Sequence, residues 1–142
     1  METQKNSFEL VNADKKNINK YLKMNDVKLG NNVVIINPSN IYGCKIDDDV
    51  FVGPFVEIQK NVVIGKRTKI QSHTFICELV NIGDDVFIGH GVMFVNDKFS
   101  IGGPALGDQT QWASTKIGDR VSIGSNATIL PVEICACVSE IK

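Results

Sequence analysis

His73 and His90 are the only histidines in this chain of 142 residues, and an imidazole takes up or releases a proton near neutral pH. Either could accept the proton of an ammonium group, or each simply forms a hydrogen bond where the chain turns. His90 lies between Gly89 and Gly91, six residues before the pair Asn96 and Asp97. That pair either faces a polar ligand or opens a loop as an Asx turn, which Asn and Asp favour. Gln71 and Ser72 precede His73, and Glu57 and Glu78 supply nearby carboxylates. These are candidates for contacts with a polar ligand, or ordinary exposed polar residues. Four cysteines, Cys44, Cys77, Cys135 and Cys137, lack the paired spacing of a metal site. Cys44 and Cys77 read as small apolar packing residues, and Cys135 and Cys137, two apart, leave ligation or redox use open.

The element that must position these groups is written in a six-residue period. Ile46, Val52, Ile58, Ile64, Ile70, Ile76, Ile82, Ile88 and Phe94 follow one another at that interval, preceded by Leu29, Ile35 and Ile41 and resumed at Ile117, Ile123 and Ile129. Four residues after most of them stands a small or β-branched residue, from Val50 and Val56 through Thr68 and Thr74 to Val121 and Ala127. Gly follows the aliphatic residue directly at Gly30, Gly53, Gly65, Gly83, Gly89, Gly118 and Gly124, easing backbone crowding at the turns. A period of six suits neither a helix nor an alternating strand; it is the hexapeptide signature of a parallel β-helix. Three hexapeptides make one triangular coil, so residues about 18 apart stack at strand spacing, roughly 4.8 Å. Glu78 is thereby placed directly beneath Asn96.

Two steps of five, Ile41 to Ile46 and Ile129 to Ile134, mark irregular corners, the second at Pro131. Between Phe94 and Ile117 about 17 extra residues intervene, carrying Gly102, Gly103, Pro104 and Gly107, the composition of an extruded loop. Such loops on rigid scaffolds commonly carry function. The expected organisation is a cap or loose leader over 1–28, a β-helix of about five coils over 29–134 with its loop at 95–116, and an irregular, apparently truncated end over 135–142. A solenoid end left open would present unpaired strand edges. The formal net charge of −1 and the lack of a basic stripe argue against a nucleic-acid surface. No apolar run has the length to span a bilayer and the first residues carry no apolar signal core, so the chain is expected to be cytoplasmic, without membrane insertion.

The stretch Glu57 to Phe99, containing GHGVMFVND, and the segment Ile117 to Ile134, containing GSNATILPV, resemble the left-handed β-helix nucleotide-sugar N-acyltransferases. They are most similar to those acting on dTDP-3-amino-3,6-dideoxyhexoses. The resemblance spans about residues 27–134 and implies an all-β, left-handed parallel β-helix. It also implies acetyl-CoA as co-substrate without a metal, a nucleotide-sugar acceptor for surface polysaccharide or O-antigen biosynthesis, and a homotrimer with sites between subunits. Relatives continue through a further coil containing a Gly-Ala-Gly type segment, where this chain has CACVSEIK.

Acyl transfer from a thioester to an amine needs a neutral amine, alignment with the carbonyl, and stabilisation of the oxyanion. Alignment supplies on the order of 7 to 11 kcal/mol in ideal cases. One oxyanion donor adds roughly 3 to 4 kcal/mol. The resemblance implies that Asn96 and Asp97 face the sugar amine; Glu78, stacked beneath Asn96, could then hold the ammonium form or relay its proton, and His90, by its imidazole chemistry, is the candidate base. His73, Gln71 and Glu57 are then substrate contacts, and the backbone of Gly124, Ser125, Asn126 and Ala127 receives the pantetheine arm, where small side chains permit close approach. Trp112, the single tryptophan, lies in the loop and packs on a neighbouring subunit, stacks on a base or anchors the loop. A γ-class carbonic anhydrase, which shares the fold, needs three histidines on zinc and is set aside with two. An O-acetyltransferase, or a truncated, non-catalytic scaffold or subunit, remain the alternatives.

Overall fold

The computed structural model describes residues 11–12, 25–99, 102, 108–131, 133–134 and 140–141. Short strands, nearly all of two residues, stack into three sheets in which every third strand is a hydrogen-bonded neighbour. The sheets form the three faces of a parallel β-helix, in keeping with the left-handed hexapeptide class. Face A stacks Val34–Ile35, Phe51–Val52, Lys69–Ile70, Phe87–Ile88, Ser122–Ile123 and Glu140–Ile141. Face B stacks Lys28–Leu29, Lys45–Ile46, Val63–Ile64, Val80–Ile82, Thr115–Ile117 and Glu133–Ile134. Face C holds five strands, Asn40–Ile41, Glu57–Ile58, Phe75–Ile76, Met93–Phe94 and Thr128–Ile129.

The hexapeptide explains this geometry residue by residue. The periodic aliphatic residues from Ile41 to Phe94 and from Ile117 to Ile129 point inward and are at most 3% exposed. The β-branched residues four positions later fill the adjoining corner, and Val50, Val56, Val62, Val80, Val86, Val92 and Val121 are almost wholly buried. Thr68 and Thr74 keep this scheme because their hydroxyls donate to the Gly83 and Gly89 carbonyls one coil above, at 3.0 and 3.1 Å. Each turn also needs one residue in the left-handed region: at the turns from face B to face A that role falls to residues such as Asp49, Arg67, Asp85 and Arg120, and at the other turns to residues such as Phe55, Asn61, His73 and Gly91, never to the periodic glycines. The glycines answer a different demand. A Cβ on Gly65 or Gly83 would stand 2.5 Å from the Gly83 carbonyl carbon or 2.8 Å from the Asp119 amide nitrogen of the next coil.

Register confirms the inserted loop. Phe87 pairs with Lys69, 18 positions back, but with Ser122, 35 positions on, so 17 residues leave the ladder. The loop is narrower at its root than the expected 95–116, because Val95 still donates to the Ile129 carbonyl at 2.9 Å. Ala113 donates to the Asn96 carbonyl at 2.8 Å, and Asp97 and Trp112 form an antiparallel bridge. Residues 100–101 and 103–107 of the loop lie outside the described residues.

At the first coil, Val11–Asn12 pairs antiparallel with Val34–Ile35 and covers that strand edge. Much of the 1–28 segment is otherwise outside the described residues, as are Cys135 and Cys137. The segment 135–142, expected to be irregular, contributes the strand Glu140–Ile141, parallel to Ser122–Ile123. Ile141 stands 18 positions after Ile123, so the stacking rule continues where the six-residue count is broken. Cys44 and Cys77 are buried free thiols within the core. Burial pushes their pKa values up, to about 12 and about 11, which leaves both as neutral packing groups near pH 7.

Candidate active site

Three corners run the length of the prism, and each has its own chemistry. The corner from face B to face A is a charge ladder. Asn31, Asp48, Lys66, Asp84 and Asp119 occupy one column, in which each aspartate Oδ1 accepts the main-chain N–H of the residue below at 2.8 Å. In the adjoining column, Arg67 donates through Nε and a terminal nitrogen to Asp85 at 2.7 and 2.8 Å. The paired guanidinium holds the Asp85 carboxyl below its ordinary range, and the Asn31 amide followed by Lys66 does the same for Asp48. These charges are exposed and screened by solvent, so their work is local: they satisfy main-chain N–H groups at successive turns.

The corner from face A to face C carries both imidazoles. His90 Nδ1 lies 2.9 Å from Ser72 Oγ one coil below, and its main-chain N–H donates to Ser125 Oγ one coil above at 3.1 Å. Asn126 donates its main-chain N–H to the His90 carbonyl at 2.8 Å. With Nδ1 protonated and donating to Ser72, the lone pair of Nε2 is the one available to a substrate. His73 instead stacks on Phe55, ring centroids 4.9 Å apart. The side chain of Asn126 reaches over Gly91, where a Cβ would come within 2.6 Å of its Oδ1. Gln71 offers its carbonyl to the Thr74 hydroxyl at 2.9 Å. Gln71, His73 and His90 thus share one corner with Gly124, Ser125, Asn126 and Ala127.

The corner from face C to face B carries the carboxylates and the loop root. Asn96 Nδ2 donates to the Glu78 carbonyl at 3.3 Å, so the two residues stack as the 18-residue rule predicts. Gln59 accepts the Glu78 N–H at 3.2 Å and donates from Nε2 to Glu57 Oε1 at 3.1 Å. Lys60 Nζ approaches Glu78 Oε1 at 3.5 Å. Burial and then the negative fields of Glu57 and Glu78 push the Tyr42 phenol above its ordinary pKa, against the opposing bond with Gln59. Asp97 Oδ1 accepts the Phe99 N–H at 2.8 Å, the Asx turn that opens the loop. Beyond the loop root, on face B, a cavity of about 250 Å³ is lined by residues including Asn61, Leu79, Asn81, Ser114 and Thr115. The buried Thr115 hydroxyl finds no hydrogen-bond partner among the described residues.

The candidate residues therefore divide. His90 stands at one end of Met93–Phe94 and Asn96 at the other, a full face apart within one chain. One chain brings Glu57, Glu78, Asn96 and Asp97 to one corner and the histidines to another. Sequence reasoning passed over Gln59, Lys60 and Tyr42. Lys60 was legible, since it precedes Glu78 by 18 positions as Glu78 precedes Asn96. No group of three or more metal-binding side chains occurs among the described residues, and no helix among them is long and apolar enough to cross a membrane.

The sequence signature of the bacterial transferase hexapeptide (six repeats) family matches residues 43–78. The chain is 40% identical over 91 residues to the bifunctional protein GlmU of Neisseria meningitidis serogroup A, covering 63% of this chain and 17% of that protein. It is 36% identical over 88 residues to GlmU of Baumannia cicadellinicola, covering 62% of this chain and 16% of that protein. The matched part is thus about a sixth of the length of either relative. Among solved structures, the acetyltransferase domain of PglB from Neisseria gonorrhoeae has the same fold, with a TM-score of 0.60 at 16% identity over 82% of this chain and 50% of that one.

Proposed function

We propose that this hexapeptide-repeat chain is an acyltransferase, and more narrowly that it transfers acetyl from acetyl-CoA to the amine of a nucleotide-linked 3-amino-3,6-dideoxyhexose of the dTDP class. The observation that carries the reading is the stacked pair Glu78 and Asn96 at the root of the extruded loop. A carboxylate and an amide, fixed on a rigid ladder, suit an amine that arrives as an ammonium ion and must react as a free base. The repeat signature over residues 43–78 supports the broader part, acyl transfer on this scaffold.

In the proposed reaction the ammonium form binds against Glu78 and loses one proton, after which the amine nitrogen attacks the thioester carbonyl carbon. The carbon–oxygen double bond opens to an oxyanion, then re-forms as the carbon–sulfur bond breaks. The products are the N-acetyl sugar, the thiol of CoA and one proton released to solvent. His90 of the facing subunit accepts that proton, and the thiolate, a good leaving group, reduces the demand on any base. Main chain at Gly124 to Ala127 receives the pantetheine arm. Asp97 shapes the loop root beside the acceptor, and Gln71, His73 and Glu57 serve as acceptor contacts.

Because His90 and Asn96 are a full face apart in one chain, this chemistry requires two chains, and a cytoplasmic homotrimer with its sites between subunits meets that requirement. Phe87 on face A and Met93 on face C are 42% and 43% exposed, with Phe55 at 57% on the corner between them. Apolar surface of that kind suits subunit contact. The test is incubation with acetyl-CoA and a dTDP-3-amino-3,6-dideoxyhexose, following free thiol and the mass of the sugar nucleotide. Thiol release matched by addition of one acetyl group is expected. Trimeric protein that releases no thiol would sink the reading.

A further inference from the structure

Lys60 is the one cation within ion-pair distance of the Glu78 carboxylate among the described residues. The Glu78 side chain is 14% exposed and that of Lys60 49%, so the acid is the fixed partner and the base the movable one. Glu78 does not depend on Lys60 for its position. Its main chain is held from below by Gln59 and from above by Asn96, at 3.2 and 3.3 Å. The Lys60 stem, in turn, crosses Gly43 of the coil beneath, where a Cβ would lie 2.5 Å from the lysine Cβ. The stem is therefore anchored below while the ammonium group reaches up to the carboxylate on a flexible chain. Gln59 ties in a second carboxylate, Glu57, at 3.1 Å. Lys60 thus pairs with Glu78 while Glu57 is held by Gln59, with the Tyr42 phenol in the field of both carboxylates and Asp97 at the loop root above.

From this arrangement we infer that Lys60 is a placeholder cation: it occupies the Glu78 carboxylate in the free protein and is displaced by the ammonium group of the acceptor. The inference rests on the amine-acylating reading above and gives Lys60 a positioning role. A half-exposed ion pair is worth little, so a substrate cation exchanges for Lys60 at small cost. Displaced but still close, the lysine charge disfavours the ammonium form of the bound amine and so assists its deprotonation. Tyr42, whose pKa is raised first by burial and then by Glu57 and Glu78, lies where it can report on the charge of this corner.

The test compares Lys60→Met, Lys60→Arg, Glu78→Gln and the Lys60→Met/Glu78→Gln double variant, with a dTDP-3-amino-3,6-dideoxyhexose as the probe. Removing the competitor should lower KM for the amino sugar roughly 2- to 5-fold, the span of an exposed ion pair, while KM for acetyl-CoA stays unchanged. Lys60→Arg should keep the original KM, and Lys60→Met should have no effect on top of Glu78→Gln. A second readout needs no turnover: ultraviolet titration of the Tyr42 phenol should move upward in Lys60→Met and downward in Glu78→Gln. An unchanged or raised amino-sugar KM in Lys60→Met would overturn the assignment. If the wild-type protein transfers no acetyl group, the functional reading fails. The placeholder role then stands only if the amino sugar shifts the Tyr42 titration in wild-type protein and not in Glu78→Gln.

Discussion

For single residues, the imidazole of His90 is set by a neighbour one coil below, Ser72 Oγ at 2.9 Å, rather than by anything adjacent in sequence. If His90 is the base, His90→Ala lowers kcat by about 10²-fold or more. Ser72→Ala, which keeps the imidazole but frees its orientation, lowers kcat less and displaces the pH–rate profile; a kcat unchanged across pH in His90→Ala removes the role. Cys44 supports a different expectation, because burial holds its thiol neutral up to a pKa of about 12 against an ordinary 9.0. The unfolded chain ionises this thiol first, so its contribution is complete below pH 9.0 and is lost as pH rises toward about 12. At one pH unit above the unfolded value the loss is about 1.4 kcal/mol. Urea titrations at neutral and alkaline pH should show that loss, and Cys44→Val should reduce it.

Within the repeat, the glycines that directly follow the inward residue are required by the coil above them rather than by a left-handed backbone. Gly83 illustrates this: a Cβ there would meet the Asp119 carboxylate and its amide nitrogen, at 2.8 Å for the latter. Since those atoms belong to the coil above, Gly83→Ala should cost about 1 to 3 kcal/mol, the usual range for overpacking. Ile64→Ala, which empties a fully buried position on face B, should cost about 2 to 5 kcal/mol. Equilibrium denaturation decides both, and a Gly83→Ala variant as stable as wild type would refute the close-approach account. Trp112 shows the loop version of the same logic. Its bridge with Asp97 closes the root, so the loop departs from and returns to nearly one point on the ladder.

Across the molecule, the corners separate tasks that a compact active site would combine. The face B to face A corner binds coil to coil through charges, whereas the other two present imidazoles and carboxylates to solvent. On the proposed reading, a chain with this division completes its site by placing one copy's histidine corner against another's carboxylate corner. Light scattering should accordingly give about three times the 15.6 kDa chain mass. Activity per chain should fall on dilution below the assembly range, and a fully active monomer would contradict the division of labour. Glu78→Gln mixed with His90→Ala should regain part of the activity that each lacks alone, because a mixed trimer contains some intact pairs.

The sequence by itself determined the β-helix, its inward residues, the length of the extruded loop and the stacking of Glu78 under Asn96. It could do so because a solenoid repeats one local geometry, and position in space follows from counting. Counting failed where the repeat does: the loop root narrows to Asn96 and Ala113, and Glu140–Ile141 rejoins face A after a break in the period. Which groups meet was decided only by the tertiary structure. Gln59 links Glu57 to Glu78, and the Tyr42 phenol lies in the field of both carboxylates. Side-chain reach, rotamer and corner identity set those pairings, and none of them is a property of spacing along the chain.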